Sequence, residues 1–334
     1  MTYFWFITIF IIFNLIIYLS FENISKKINL FDLPNDRKIH KKKISCIGGF
    51  FIITSLIFLV SFFQNRYFNA QNLFLNNSNF LSFYLVSIFI FFVGILDDKV
   101  NLSPFRKIVL LIFFLTAAVT SDTTLIINNL KISFLNLEIL FPENFAVFFT
   151  ILCIFVFLNA FNMFDGMDMQ SGIYSLAIFF AIMLKSGYFQ IFLPIIISLI
   201  FFLFLNYRKV LFLGNNGSYL VAYIISWFCI KLYNFQIIKH ADYISLLLII
   251  PILDLLRLTI ERLLKNKNPM SPDNNHIHHL LLRKYKYTKT LFIISSLFLL
   301  PIILEIYFPI LPVLILTIIS YFYIIYFLVK KIKR

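Results

Sequence analysis

Apolar positions in this chain are gathered into about eleven runs joined by short polar connections, at approximately 2–20, 47–63, 79–96, 105–121, 142–160, 168–186, 188–206, 217–234, 242–262, 289–307 and 309–328. A helix needs roughly 20 apolar residues to cross a bilayer, so each run predicts a membrane-spanning helix. Pro301 and Pro309 interrupt the last stretch, where a kinked pair or a re-entrant turn would fit. The first run has no basic leading region and no small-residue cleavage site, so it reads as a retained span. No heptad pattern, Gly/Ser linker, internal repeat or insert of soluble-domain size is visible. The expected fold is an all-α integral membrane protein, a polytopic bundle of about eleven helices forming one domain over residues 1–334.

Composition supports this reading: 61% of the 334 residues are hydrophobic, which a soluble domain does not sustain. Cys46, Cys153 and Cys229 are far apart, and the last two lie inside apolar runs, so neither a disulfide framework nor a cysteine metal site is suggested.

Charge fixes the expected orientation. One alternating set of connections holds most of the Lys and Arg residues, among them Arg37, Lys38, Lys41, Lys107, Arg262, Arg283, Lys333 and Arg334. The other set holds only Arg66, Lys131, Lys185, Lys231 and Lys239. Basic residues accumulate on the cytoplasmic side of short loops, which places the N-terminus outside and the C-terminus inside. The net charge of +14 is accounted for by that bias and by attraction to anionic headgroups. It does not call for a nucleic-acid partner.

The chemistry-bearing residues then fall on one side of the membrane. "GILDDKVNLSPFRK" carries the adjacent Asp97 and Asp98 and, further on, Lys107; "NAFNMFDGMD" carries Asn159, Asn162, Asp165 and Asp168; "FLGNNGS" carries Asn215. The segment from Asp254 to His279 adds Arg257, Arg262, Asp273, His276, His278 and His279. A lone carboxylate at a helix end commonly serves as a cap. Two adjacent ones point about 100° apart on a helix, so they rarely share one cap and need a cation to neutralise them near lipid. Asp and Asn at several helix ends suit Mg²⁺, a hard ion that keeps waters and substrate phosphates in its shell. The three histidines lack a nearby Cys or Glu to complete a zinc set. Beside Arg and Lys they read instead as an anion site for phosphate oxygens. His40 and His240 stand alone and have no assigned role. Acidic metal ligands with basic phosphate holders at a membrane surface suit phosphoryl transfer between a soluble nucleotide and a lipid phosphate.

At these residues the sequence resembles the polyprenyl-phosphate N-acetylhexosamine-1-phosphate transferases, the WecA group, relatives of the MraY phospho-muramoyl-pentapeptide transferase. Its elements are "DLPNDRKIHKKKISCIGG", "GILDDKVNLSPFRK", "NAFNMFDGMD", "FLGNNGS" and "PILDLLRLTIERLLKNKNPMSPDNNHIHH", in family order. The resemblance implies a UDP-sugar and undecaprenyl phosphate as substrates, Mg²⁺ as cofactor with Mn²⁺ as the alternative, and an active site on the cytoplasmic face of the bacterial inner membrane. It leaves room for a homodimer. By family position, Asp97 deprotonates or orients the lipid phosphate with Asp98 beside it, and Lys107 holds phosphate. Asn162 and Asn215 reach the metal, Asp165 and Asp168 line the nucleotide pocket, and Arg262, His276, His278 and His279 serve substrate binding.

The chain departs from the family pattern twice. Asn215 stands where the family usually has a metal-ligating Asp, and Met169 and Gln170 replace a usual Gly-Leu pair. An active transferase that starts a cell-surface glycan is therefore the leading expectation. The alternatives are a catalytically impaired relative that binds nucleotide sugar or lipid phosphate, and a transporter. A transporter would place its ionisable groups near mid-membrane.

Overall fold

The computed structural model describes residues 2–33, 42–63, 73–74, 76–134, 137–269 and 273–332. Arg37, Lys38, His40, Lys41, Arg66, Lys333, Arg334 and residues 34–41 of the first motif lie outside the described residues.

Each predicted run coincides with one long helix. They are α1 (Thr2–Ile28), α2 (Gly48–Phe63), α3 (Asn77–Val100), α4 (Pro104–Ser121), α5 (Glu143–Phe164), α6 (Gln170–Ser186), α7 (Phe189–Tyr207), α8 (Gly214–Asn234) and α9 (Ala241–Leu264), then, after the one-and-a-half-turn α10 (Ile277–Leu282), α11 (Tyr287–Leu304) and α12 (Ile310–Ile332). Among the described residues, eight of these are long and apolar enough to cross a membrane: α1, α3, α4, α5, α7, α9, α11 and α12. The helices α2 and α6 are apolar but shorter. Pro301 sits inside the last turn of α11, and α12 starts separately at Ile310, so the two prolines mark the join between two helices.

Helix α8 differs from the rest in kind. Every residue from Asn216 to Tyr233 is buried, enclosed by α2, α3, α5 and α6. Because its neighbours and not lipid surround it, α8 carries Asn, Ser, Tyr, Trp and Lys at positions where a lipid-facing helix would pay a heavy desolvation penalty. Its start lies hard against α3: a Cβ on Gly94 would fall 2.3 Å from the Asn216 Cα, so only glycine permits this approach.

Among the described residues, two small antiparallel sheets add to the expected all-α fold. Strands β1 (Phe31–Asp32) and β2 (Ile44–Ser45) pair Phe31 with Ser45. Ser45 in turn bridges Leu211, and the Phe212 N–H donates to the Ser45 carbonyl at 2.8 Å. The α1–α2 connection is thereby fastened to the α7–α8 connection. At the other end of the bundle, β3 (Asn129–Ile132) and β4 (Leu137–Leu140) form a hairpin. Both sheets satisfy backbone groups in connections too long to be simple turns.

Candidate active site

Helix α3 runs one turn past its apolar run, so Asp97 and Asp98 lie in its final turn. The helix ends at Asn101 in left-handed conformation, Ser103 caps the next helix, and Pro104 opens it. This tight reversal returns Lys107 to Asp97, with Nζ 2.7 Å from Oδ2. The Asp97 carboxylate also accepts from the Leu102 N–H at 3.1 Å and the Asn215 amide at 2.9 Å. It is 1% exposed.

Asp98 faces the other way and meets the start of α8. It accepts from the backbone N–H groups of Asn215 (2.9 Å) and Asn216 (3.1 Å) and from the Asn216 side chain (2.6 Å). Free N–H groups at a helix N-terminus attract a carboxylate in this way. The Asn216 amide also reaches the Cys46 carbonyl at 2.6 Å, tying the α1–α2 connection to the same point.

The end of α5 brings Asn162, whose amide donates to Asn215 Oδ1 (2.7 Å) and Ser218 Oγ (2.8 Å). Asp165 terminates α5 and takes a hydrogen bond from the Ser171 hydroxyl. Burial, with like charge from Asp168 and Asp98 adding to it against the Ser171 bond, pushes the Asp165 carboxyl up to about 7. In the turn that follows, the Met169 N–H donates to Asn206 Oδ1 (2.5 Å), and the Asn206 amide donates to the Leu211 carbonyl (2.7 Å). Asn206 thus joins the α5–α6 and α7–α8 turns.

The histidine segment is pinned from α9. Asp254 bonds His276 Nδ1 (2.8 Å), Arg257 Nη2 (2.8 Å) and the Ile277 N–H (3.2 Å), and receives the Tyr321 hydroxyl (2.7 Å) from α12. Arg262 donates to Asp273 (2.9 Å) and the Pro269 carbonyl (2.6 Å), closing the loop after α9. That pairing and the Asn275 N–H hold the Asp273 carboxyl below its usual range against the opposing effect of burial. His278 is 1% exposed and packs so closely on Gly166 that a Cβ there would lie 2.1 Å from Nε2. Burial, with His279 and His276 adjacent, lowers the His278 pKa well below the ordinary imidazole value. His279 is lowered too, by burial first and then by His276 and Arg283. In both rings burial works against the charged form.

These turns enclose one cavity of about 680 Å³. Its walls include Asp98, Asn162, Asp165, Asp168, Asn215 and His279, six of the residues singled out in the sequence. Asp97 and Lys107 sit behind it as a pair, while Arg262, His276 and His278 hold the wall rather than form it. Asp32, Asn206, Lys209 and Tyr287 also line the cavity, and the sequence assigns none of them a site role. Asp32 opens the first motif, Asn206 ends an apolar run, Lys209 just beyond it counts only toward the basic bias, and Tyr287 reads as an ordinary interfacial aromatic. The contributing connections belong to one end of the bundle: they follow the C-termini of α1, α3, α5, α7 and α9 and precede the N-termini of α2, α4, α6, α8 and α11, the last of them containing α10.

The donor chemistry around the cavity fits a hard cation. The Asp98 carboxylate and the Asn162 amide oxygen are oxygen ligands of the kind Mg²⁺ takes, while Asn215 Oδ1 accepts from the Asn162 amide and would exchange that bond for the ion. Among the described residues, no group of three or more His, Cys, Asp or Glu side chains stands close enough to hold a metal ion, so an ion here would draw its other ligands from amide oxygens, water and substrate phosphates.

The sequence profile of glycosyl transferase family 4 matches residues 80–233. The chain is 30% identical over 274 residues to the undecaprenyl-phosphate alpha-N-acetylglucosaminyl 1-phosphate transferase of Thermotoga maritima, covering 81% of this chain and 79% of that protein. Proteins of the same name from Escherichia coli K12 and Yersinia pestis are 27% and 28% identical, covering 87% and 83% of this chain and 79% and 76% of their own lengths.

Proposed function

The chain belongs to glycosyl transferase family 4, and on that premise we propose that it transfers an N-acetylhexosamine 1-phosphate from a UDP-sugar to undecaprenyl phosphate, releasing UMP, as the first step of a cell-surface glycan. At the coarser level it is a multi-pass membrane enzyme, a polyprenyl-phosphate sugar-1-phosphate transferase. The observation that carries the finer reading is the convergence of Asp98, Asn162, Asp165, Asp168, Asn215 and His279 on one cavity at one end of the bundle. A transporter's central polar pathway is not what this arrangement resembles.

In this reading a lipid-phosphate oxygen attacks the β-phosphorus, the bond from that phosphorus to the oxygen of UMP breaks, and UMP leaves. Asp98 faces the cavity and takes or orients the lipid-phosphate proton. Asp97 keeps Lys107 and Asn215 in place behind it. Asp165 and Asp168 contact the nucleotide, and His279 donates a hydrogen bond to the diphosphate. Lys107 borders the lipid phosphate, while Arg262, His276 and His278 shape the loop that presents His279. Asn162, Asn215 and Asp98 would hold Mg²⁺, or Mn²⁺, which supplies neutralisation of the phosphate charge. The Lys and Arg bias supports eleven spans with the N-terminus outside, the C-terminus inside and the cavity facing the cytoplasm at the inner membrane.

The test is UMP release by the purified protein given undecaprenyl phosphate, Mg²⁺ and UDP-N-acetylglucosamine, with Asn215→Asp in parallel. Native turnover establishes the reaction. Asn215 is committed at both ends of its amide, to Asn162 and to Asp97, so activity confined to Asn215→Asp would mark the native chain as a binding protein with lost turnover. Silence of both with each UDP-N-acetylhexosamine offered would remove the reading.

A further inference from the structure

Four aspartates line the cavity, Asp32, Asp98, Asp165 and Asp168, and Lys209 is the only Lys or Arg among the described residues of its wall. Several other basic side chains at this end lie outside that wall and have charged or backbone partners of their own. Lys107, behind the wall, pairs with Asp97, Arg257 with Asp254 and Glu261, and Arg262 with Asp273. Arg283 donates to the Asn274 carbonyl. Lys209 makes one aromatic contact, its Nζ 5.0 Å from the centre of the Tyr287 ring. That ring is itself fixed, because the Tyr287 hydroxyl donates to the Asp168 carbonyl at 2.7 Å.

The backbone supplies an independent observation. Lys209 has φ +58°, and its N–H closes on the Asn206 carbonyl at 2.9 Å just beyond α7. Glycine or asparagine ordinarily fills such a left-handed position after a helix. A lysine held there is strained, and strain of this kind persists where the surroundings enforce it, commonly at a functional site.

An anion entering a cavity walled by carboxylates needs a cation to meet it. A solvent-exposed cation–π contact is weak, so the ammonium on its long stem can exchange the ring for phosphate oxygens, a stronger partner. His278 is not part of the wall, and burial works against a charge on His279. We infer that Lys209 is a phosphate-binding residue of the transfer site, presented into the cavity by the strained turn and parked over Tyr287 until substrate arrives. The identity of the phosphate rests on the proposed reaction: it belongs either to the nucleotide donor or to the lipid acceptor.

The experiment compares the purified full-length native protein with Lys209→Met, which removes charge but keeps the strained backbone, and Lys209→Gly, which removes both. Binding of UMP and of uridine is measured by calorimetry, KM for each substrate by UMP release, and melting temperature in the same detergent. If the phosphate is the nucleotide's, loss of one charge-assisted contact predicts UMP binding weakened about tenfold in both variants with uridine binding unchanged; if it is the lipid's, UMP binding stays native and KM for the polyprenyl phosphate rises about tenfold. Lys209→Gly is expected to melt at or above the native temperature, so its weaker binding is not unfolding. A raised KM for the UDP-sugar alone assigns Lys209 to the donor phosphates, and a raised KM for the polyprenyl phosphate alone assigns it to the acceptor. Native-like UMP affinity together with two native-like KM values in Lys209→Met overturns the inference. If the native protein binds UMP through Lys209 yet forms no product, the transfer reaction falls and this inference stands.

Discussion

Helix α4 has an ion pair at each end, and the two have opposite surroundings. At its start Lys107 meets Asp97 at 2.7 Å, the lysine 30% exposed and the aspartate beside the cavity. At its far end Asp122 meets Lys231 of α8, also at 2.7 Å, but the side chains are 1% and 0% exposed. The Thr124 hydroxyl, Trp227 and Phe235 close around that lysine. Distance and chemistry are the same and the two aspartates are equally buried, each 1% exposed, so the exposure of the lysine separates the roles. The sealed pair can only join helices, whereas the half-open one holds Asn215 and remains within reach of a ligand.

The largest expected effect is at the sealed pair. Lys231→Met strands an unpaired carboxylate in the core and should cost about 3–5 kcal/mol of stability, seen as a lower melting temperature in detergent. Adding Asp122→Asn should restore much of the loss, because both charges are then gone. Lys107→Met should change the melting temperature far less. Equal losses at the two lysines would break the comparison.

Next comes chemistry at the open end. Asp98→Asn should lower UMP formation by about 100-fold or more, the usual contribution of a positioned proton acceptor, with the protein still expressed. Its single amide oxygen can keep only part of the contact with the start of α8, because the NH2 group faces an N–H donor where Asp98 has its second oxygen, so a modest fall in melting temperature accompanies the loss of charge. Near-native turnover in this variant would move Asp98 out of the reaction.

The two ends were also unequally legible in the sequence. Long apolar runs gave every long helix, because length and hydropathy are local properties. Asp97, Asp98, Asn162, Asp165 and the histidines stood out because polar residues at the ends of apolar runs are conspicuous. What sequence did not show was which of them face the cavity. The Asp97 and Asp98 split depends on a 100° step at a helix end whose boundary hydropathy placed at residue 96, four residues short of Val100. The Asp122–Lys231 pair stayed hidden since its members are 109 residues apart and Lys231 reads as a loop residue by charge counting. Tyr321, which completes the Asp254 cluster from the last helix, looks like one more membrane aromatic until packing reveals its hydroxyl. The β3–β4 hairpin was missed because its Asn129–Lys131 and Glu138 positions carry no run long enough to register beside the helices.

A smaller effect distinguishes the cavity wall from the bundle by pH. The Asp165 carboxyl is raised to about 7, above the value near 4 of an unfolded chain. Between those values the folded protein keeps a proton that the unfolded chain has lost, so stability falls as pH rises through this window and the penalty is complete above about 7. Asp165→Asn removes the penalty. Its melting temperature relative to native should climb from pH 5 to pH 8 in buffer containing EDTA. A difference that stays flat over that range would mean Asp165 is ionised throughout.

The smallest effect asks whether strain at the open end is useful. Met169 has φ +66° where the resembling motif carries glycine, and its N–H is held by Asn206. A left-handed methionine costs about 1 kcal/mol, and Met169→Gly relieves it, though the added freedom of glycine in the unfolded chain offsets part of the gain. A rise in melting temperature smaller than the Lys231→Met loss is expected, with UMP formation retained. Were turnover to fall while stability rose, the strained turn would be setting the position of Asp168, its chain neighbour in the cavity wall. The contrast between the two ends of α4 would then extend beyond charge: the sealed end would be built for stability alone, and the open end would hold its backbone under strain to keep a carboxylate in place.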